Sequence, residues 1–331
     1  MSDPAIRVQN LSRQYGKLFA VQDLSFEIPR GDVVGFVGAN GAGKTTTMRV
    51  LATLDYPSAG TCEVLGHNVV LEPEKVRHKI GWMPDDLGNF ENVTVIEFLD
   101  FYARAMGFKG KERRERIEEV MDFTELHPLA DRLSDKLSKG QTQRLGLARA
   151  LIHDPEILIM DEPAAGLDPK ARVELKRLIR VLADDGKTVF ISSHILSELG
   201  EMCDNLLFIN GGKAVHYGSA EELQHGGDAS GSAVYRVHVH GDPQAVGAWA
   251  EMNPYVEFSE SLKLGGRIKI ESADPEVAAD VLARMINSGL KITEFHREQR
   301  NLEDAFIDIL SQGTPHTTPP PIPIAPPAPN P

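Results

Sequence analysis

Eight consecutive residues, Gly38, Ala39, Asn40, Gly41, Ala42, Gly43, Lys44 and Thr45, constrain this chain more than any other stretch. Glycines at the first, fourth and sixth places let the backbone turn its N–H groups inward and form a cradle for an anion. Lys44 adds a cation and Thr45 a hydroxyl that can reach a divalent metal, with Thr46 next in line. An apolar run, Val33–Val37, precedes the loop and a helix-like run at 46–54 follows it, so a bound phosphate would meet the positive end of a helix dipole. A glycine-rich turn without a ligand is the alternative, but strand, loop and helix in this order are the context that the phosphate reading requires. The same order is the repeating unit of a parallel sheet covered by helices.

Two further apolar runs, Ile157–Met160 and residues 188–191, read as strands of that sheet. Their carboxyl ends should gather at the edge where such sheets bind ligands. Asp161 and Glu162 leave the first of them there: Asp161 suits a metal, and Glu162 suits the polarisation of an attacking water. Adjacent acids also occur at plain strand ends, so it is the glycine loop that makes the pair informative. About a hundred residues between these strands read as mostly helical, including 94–106 and an amphipathic stretch at 111–123 with Ile117, Val120 and Met121 on one face. They suggest a helical subdomain over about 85–153.

The large domain is expected to span 1–223 and to end in a polar, glycine-rich linker at 224–232. Beyond it, strand-like runs at 234–240, 255–258, 267–270 and 291–295 alternate with helix-like runs at 243–252 and 275–286. This βαββαβ order predicts a small α+β, ferredoxin-like domain over 233–312, closed by a helix at 301–310. The tail at 313–331 is rich in proline and small residues, cannot build a core and is expected to be disordered. No internal repeat is evident.

A net charge of −13 argues against binding a nucleic-acid backbone over a broad surface, which needs excess Lys and Arg. Cys62 and Cys203 form no C-x-x-C pair, so neither a disulfide framework nor a zinc site is indicated, and a reducing cytosolic compartment is expected. No run approaches the ~18 apolar residues of a membrane span, so any membrane role would come through a partner.

With the loop and the acidic pair placed, Leu137, Ser138, Lys139, Gly140 and Gln141 resemble the LSGGQ signature of the ATP-binding-cassette (ABC) family, Lys139 standing in place of the first glycine. The resemblance covers essentially residues 6–223. A serine hydroxyl and the N–H groups opening a helix form a second anion site; Ser138 equally suits an ordinary N-cap. Further pieces follow in family order. Tyr15 would stack on adenine, Ala165, Gly166, Leu167 and Asp168 resemble the D-loop, and His194 would contact the γ-phosphate. Each has a plain reading beside it: a surface aromatic, an N-cap before Pro169, a polar residue at a helix start. One position departs from the family. Asp85 stands where many members have glutamine, and a carboxylate can ligate metal or accept from water but cannot donate as an amide does. An acid at this position, and the run from Asn301 to Phe306, are similar to a branch of exporter subunits carrying a small C-terminal domain.

The resemblance implies an α/β P-loop NTPase core of the ABC type that binds ATP and Mg²⁺ and hydrolyses ATP. It implies Glu162, His194 and Lys44 as catalytic residues, and Thr45, Asp85 and Asp161 as metal ligands. Nucleotide would be bound by Tyr15, by residues 38–46, and by Ser138, Lys139, Gly140, Gln141 and Asp168. Partners would be a second copy, facing the first head to tail with ATP between them, and separate integral-membrane subunits at the inner face of the cell membrane. Those subunits would be met through residues 85–102, where Phe90, Phe98, Phe101 and Tyr102 either line the contact or belong to the subdomain's own core. No nucleic acid is expected. A non-transport ABC ATPase acting on ribosomes or nucleic acid is the alternative, disfavoured by the single cassette and the acidic balance. A metabolic kinase sharing the loop would leave the signature unexplained. Direction of transport rests on resemblance alone, and nothing in these residues selects a cargo.

Overall fold

A two-residue hairpin sets the first layer. Strands β1 (Ile6–Tyr15) and β2 (Leu18–Ile28) pair antiparallel, with Tyr15 opposite Leu18 across a turn in which Gly16 takes φ +59°. The computed structural model describes residues 3–88, 90–200, 202–219, 232–272, 274–298 and Leu302. The chain falls into two compact units, the break lying between Gly218 and Ser219.

In the first unit, β3 (Val33–Val37) runs into helix α1 (Lys44–Leu51), followed by β4 (Ala59–Val64), the short β5 (His67–Asn68), α2 (Pro73–Lys79) and β6 (Ile80–Met83). Helices α3 (Val95–Ala105), α4 (Gly110–Phe123) and α5 (Lys139–Leu151) come next, then β7 (Ile157–Met160), α6 (Pro169–Asp184), β8 (Thr188–Ser193), α7 (Leu196–Gly200), β9 (Asn205–Asn210) and β10 (Lys213–Ser219). The central sheet has the order β10-β9-β3-β8-β7-β6, with parallel pairs throughout β9, β3, β8, β7 and β6. Its inner strands β3, β7 and β8 are buried at every position, as strands covered on both faces must be. A second, antiparallel sheet runs β2-β1-β4-β5. Phe26 from that sheet meets Phe36 and Phe190 of the central one at ring-centroid distances of 6.1 and 5.7 Å, in a core shared with Met48 and Leu51 of α1. Burying each such ring contributes roughly 1.5–3 kcal/mol.

Two expectations are corrected here. The stretch between β3 and β7 is not mostly helical, since it also supplies β4, β5 and β6. These strands are short and interrupted by turns, so their periodicity is too brief to separate from helix. The phosphate-loop helix also starts earlier than 46, at Lys44, directly after a left-handed Gly43 at φ +107°. Helices α3 and α5 begin where the sequence supplies capping boxes, Thr94 with Glu97 and Ser138 with Gln141.

The second unit contains β11 (Ala233–Val239), α8 (Ala245–Glu251), β12 (Val256–Leu262), β13 (Gly265–Ile270), α9 (Pro275–Asn287) and β14 (Ile292–Arg297). The sheet order is β12-β13-β11-β14 with every neighbouring pair antiparallel, the split βαβ arrangement of a ferredoxin-like fold. Along β11, Ala233, Tyr235, Val237 and Val239 are buried and alternate with half-buried Val234, Arg236 and His238. Trp249 of α8 and Val281 and Met285 of α9 complete that core. The linker expected at 224–232, the closing helix at 301–310 and the proline-rich tail lie outside the described residues, save Ser232 and Leu302.

Candidate functional site

At two of its glycines the loop is packed too closely for a side chain. A Cβ at Gly38 would lie 2.5 Å from the Ile209 carbonyl oxygen, and one at Gly43 2.5 Å from that of Ala20. Ala42 is buried beneath the loop, Ala39 and Asn40 are exposed, and the Ala42 amide donates to the Ala39 carbonyl at 3.0 Å. Lys44 is only 6% exposed: its Nζ donates to the Gly38 carbonyl at 2.6 Å and forms a longer ion pair, at 3.4 Å, with Glu162 Oε1. A nearly buried cation whose shortest contact is a loop carbonyl is a ready partner for a phosphate.

Across the mouth of the loop stand the groups at the carboxyl ends of β7 and β8. Asp161 is 3% exposed and accepts from Ser192 Oγ at 2.6 Å, while the same hydroxyl accepts from the Glu162 amide at 2.8 Å. Ser192 therefore locks both acids to the adjacent strand. Sequence reasoning missed it; its only signal was a hydroxyl at the end of β8, just before His194. Glu162 takes the left-handed φ of +49°, strained for a residue with a Cβ and of a kind that gathers at functional sites. Its carboxylate is held from two sides, by Lys44 and by His194, whose Nδ1 lies 2.8 Å from Oε2.

These residues border a cleft of about 540 Å³. Its phosphate end is formed by Asn40, Gly41, Gly43, Lys44, Thr45 and Thr46, with Asp85, Glu162 and His194 opposite. Its far end is apolar, built by Tyr15, Leu18, Phe19 and Ala20 from the β1–β2 hairpin. Only Tyr15 of that wall was expected; the others depend on hairpin register, with Gln14 opposite Phe19 and Tyr15 opposite Leu18. A slightly larger groove of about 580 Å³ between α3 and α4 has no glycine loop, and its Asp100 is already paired with Arg104 at 2.6 Å.

Asp85 is exposed at the rim, and its pKa is raised: partial burial does most of this, Lys139 opposes it, and the carboxylates of Asp161 and Glu162 add to it. A carboxyl facing two other carboxylates is what an incoming cation would relieve. Among the described residues no cluster of three or more His, Cys, Asp or Glu could cage a metal by itself. A cation here would therefore draw on the Thr45 hydroxyl, on Asp161 or Asp85 and on phosphate oxygens, the all-oxygen, substrate-assisted set that suits magnesium.

Ser138, Lys139, Gly140, Gln141 and Asp168 do not line the cleft. In the single chain their plain readings are realised. Ser138 caps α5, its Oγ accepting from the Gln141 amide at 3.4 Å while its own amide donates to Gln141 Oε1 at 3.0 Å. Asp168 caps α6 by accepting from the Ala171 amide at 2.9 Å. Of the four aromatics proposed for a partner contact, Phe98 belongs to the core at 2% exposure and packs edge-on against Phe90. Phe101 is 63% exposed.

Comparison with known proteins agrees with this geometry. The ABC transporter family pattern matches residues 21–165. The chain is 32% identical over 305 residues to an uncharacterized ABC transporter ATP-binding protein, YxlF, of Bacillus subtilis (strain 168), covering 92% of this chain and 99% of that one. It is 33% identical over 308 residues to the daunorubicin/doxorubicin resistance ATP-binding protein DrrA of Streptomyces peucetius, covering 92% and 91% respectively. Among solved structures, a dimeric post-hydrolysis state of an ATP-binding cassette bound to ADP and Pi superposes with a TM-score of 0.60 at 25% identity, over 65% of this chain and 98% of that one.

Proposed function

Since the chain belongs to the ABC transporter ATP-binding proteins and is an ATPase, we propose that it powers an exporter by closing as a head-to-tail homodimer on two ATP molecules. Each cleft is then completed by Ser138, Lys139, Gly140 and Gln141 of the other copy. The observation that carries this reading is the position of Glu162, held between Lys44 and His194 at the mouth of a glycine loop, in a cleft that the signature residues of the same chain do not line.

The loop amides and Lys44 bind the phosphates of ATP, and the hairpin wall takes the base. Glu162 accepts the proton of the attacking water, and His194 keeps its carboxylate turned toward the reacting phosphate. Ser192 fixes Asp161 and the Glu162 backbone, so that neither acid needs to reorganise during the reaction. Thr45, Asp161 and Asp85 would hold a magnesium ion, which would supply charge neutralisation at the phosphates. Because contacts across the dimer exist only while the γ-phosphate is present, binding favours the closed pair and hydrolysis releases it.

No helix among the described residues is long and apolar enough to cross a membrane. In this reading separate membrane subunits conduct the cargo, with this chain docked on their inner face through residues 85–102 and Phe101 the exposed aromatic of that region. Residues 233–312 act as an accessory domain joined by the linker at 224–232. A name referring to drug resistance for a relative that matches over nearly its full length supports export.

Glu162→Gln tests the model. The variant should bind ATP, hydrolyse it at about a hundredth of the normal rate or less, and elute as a dimer in saturating ATP. A variant that stays monomeric under those conditions would rule out the head-to-tail closure.

A further inference from the structure

Tyr15 stands at the tip of the β1–β2 hairpin, where an unrestrained ring would sample several rotamers. Two neighbours prevent this. The Arg13 guanidinium lies 4.4 Å from the Tyr15 ring centroid and covers one face. The phenol hydroxyl donates to Asp55 Oδ2, the same oxygen that accepts from Arg13 Nε at 3.2 Å. A second Arg13 nitrogen stands 2.7 Å from Asp55 Oδ1, which also accepts from the Tyr56 amide at 2.8 Å. Three side chains from β1 and from the turn after α1 thus close a ring of contacts in which a cation–π pair, a phenol–carboxylate bond and an ion pair each fix the other two. Burial works to raise the Asp55 pKa, but its donors outweigh burial and hold the carboxyl below its usual range.

We propose that Arg13 and Asp55 are positioning residues for the nucleotide base: they hold Tyr15 with one face against Arg13 and leave the rest of the ring to the cleft, which Tyr15 lines and Arg13 does not. The base then meets a platform already in place, and binding does not have to order an exposed aromatic. The inference rests on the reading that the base of ATP stacks on Tyr15, and it adds the two residues that make the stack productive. Neither Arg13 nor Asp55 lines the cleft, and no sequence motif singled them out.

The test is equilibrium binding to the full chain of two probes, ATP and inorganic tripolyphosphate, which shares the phosphates but has no base. Tyr15→Ala should weaken ATP by about tenfold or more, the size of a lost base–aromatic stack. Asp55→Ala and Arg13→Met should each weaken ATP by about three- to tenfold, the range set by ordering one side chain. All three should bind tripolyphosphate as the parent does. Tyr15→Phe keeps the ring but loses the hydroxyl, so combining it with Asp55→Ala should weaken ATP no further than the poorer single variant, the non-additivity of residues acting through one contact. Parent-like ATP binding by Asp55→Ala and Arg13→Met beside an impaired Tyr15→Ala would overturn the positioning role and leave the stacking reading standing. Parent-like ATP binding by Tyr15→Ala would overturn the stacking reading itself. Equal loss of ATP and tripolyphosphate in Asp55→Ala would assign the residue to folding and overturn the proposal.

Discussion

The two compact units use their charged residues in opposite ways. In the ATPase unit Lys44 is nearly buried with a carbonyl as its shortest contact, and Glu162 sits at a strained left-handed φ between a lysine and a histidine. In the second unit the charges on the sheet face away from the helices pair across strands. Arg236 and Arg267 share Glu298 at 2.6 and 2.8 Å, Arg267 also pairs with Glu260, and His238 pairs with Glu294 at 2.7 Å. The first arrangement keeps electrostatic potential in reserve for a ligand. The second spends it on ion pairs within the sheet.

The sharpest way to break this contrast is Glu162→Gln set beside Arg267→Met. ATP turnover should fall about 100-fold or more in the first and stay within about twofold in the second, as for a surface ion pair; comparable losses would show that the second unit's network serves catalysis. A steric pair comes next. Gly43→Ala places a Cβ 2.5 Å from the Ala20 carbonyl oxygen, and Gly265→Ala places one 2.0 Å from that of Val237. Gly43→Ala should weaken ATP binding by about tenfold or more, since the loop amides must shift. Gly265→Ala should instead accelerate amide exchange in β11–β13 and spare ATP binding. An ATP defect in Gly265→Ala would mean that the units are not energetically separate.

Smaller effects sharpen the picture. Arg236→Met should lower stability to urea by about 1 kcal/mol or less, because the pair it breaks is partly solvated. The smallest effect concerns pH. Burial holds the His153 pKa below its usual value, against a bond from Nε2 to the Ile80 carbonyl at 2.8 Å. The unfolded chain therefore binds this proton more readily, and the ATPase unit loses stability as pH falls below about 6.5, levelling off below the depressed folded pKa. Glu298 behaves in the acid range: burial opposes its ionisation, but hydrogen bonds from Arg267 and Arg236 outweigh that and lower its pKa. Its contribution is present above about 4.5 and is lost as pH falls through the folded value. Thermal melts taken from about pH 7 down to about 5.5 should thus show a falling midpoint for the first unit, and His153→Gln should flatten that slope.

Much of the central sheet was legible because β3 and β7 are short and apolar and β8 has an apolar middle, and they are followed by glycine, acid or histidine, a pattern that buried parallel strands impose. The βαββαβ order of the second unit was legible from alternation, clear in β11 where burial switches at every residue. The antiparallel sheet was not. In β1 the pairing register shifts between Val8 and Leu11, again to Arg13 and again to Gln14, and such irregularities erase the period-two signal. Likewise the motif residues could be named from their order, whereas Ser192, Leu18 and Phe19 could not, because their roles come from neighbours on other strands.

By itself the sequence determined the phosphate loop, the acidic pair and the capped helix at Ser138, since each is a local pattern whose backbone conformation is dictated by the residues within it. Tertiary structure alone decided which of those patterns meet. It brought Lys44 within 3.4 Å of Glu162 across 118 positions of sequence, clamped Tyr15 between Arg13 and Asp55, and left the signature outside the cleft of its own chain. The reason is that contacts between distant residues are fixed by strand order and register, which depend on the burial of the whole sheet and are written in no single segment.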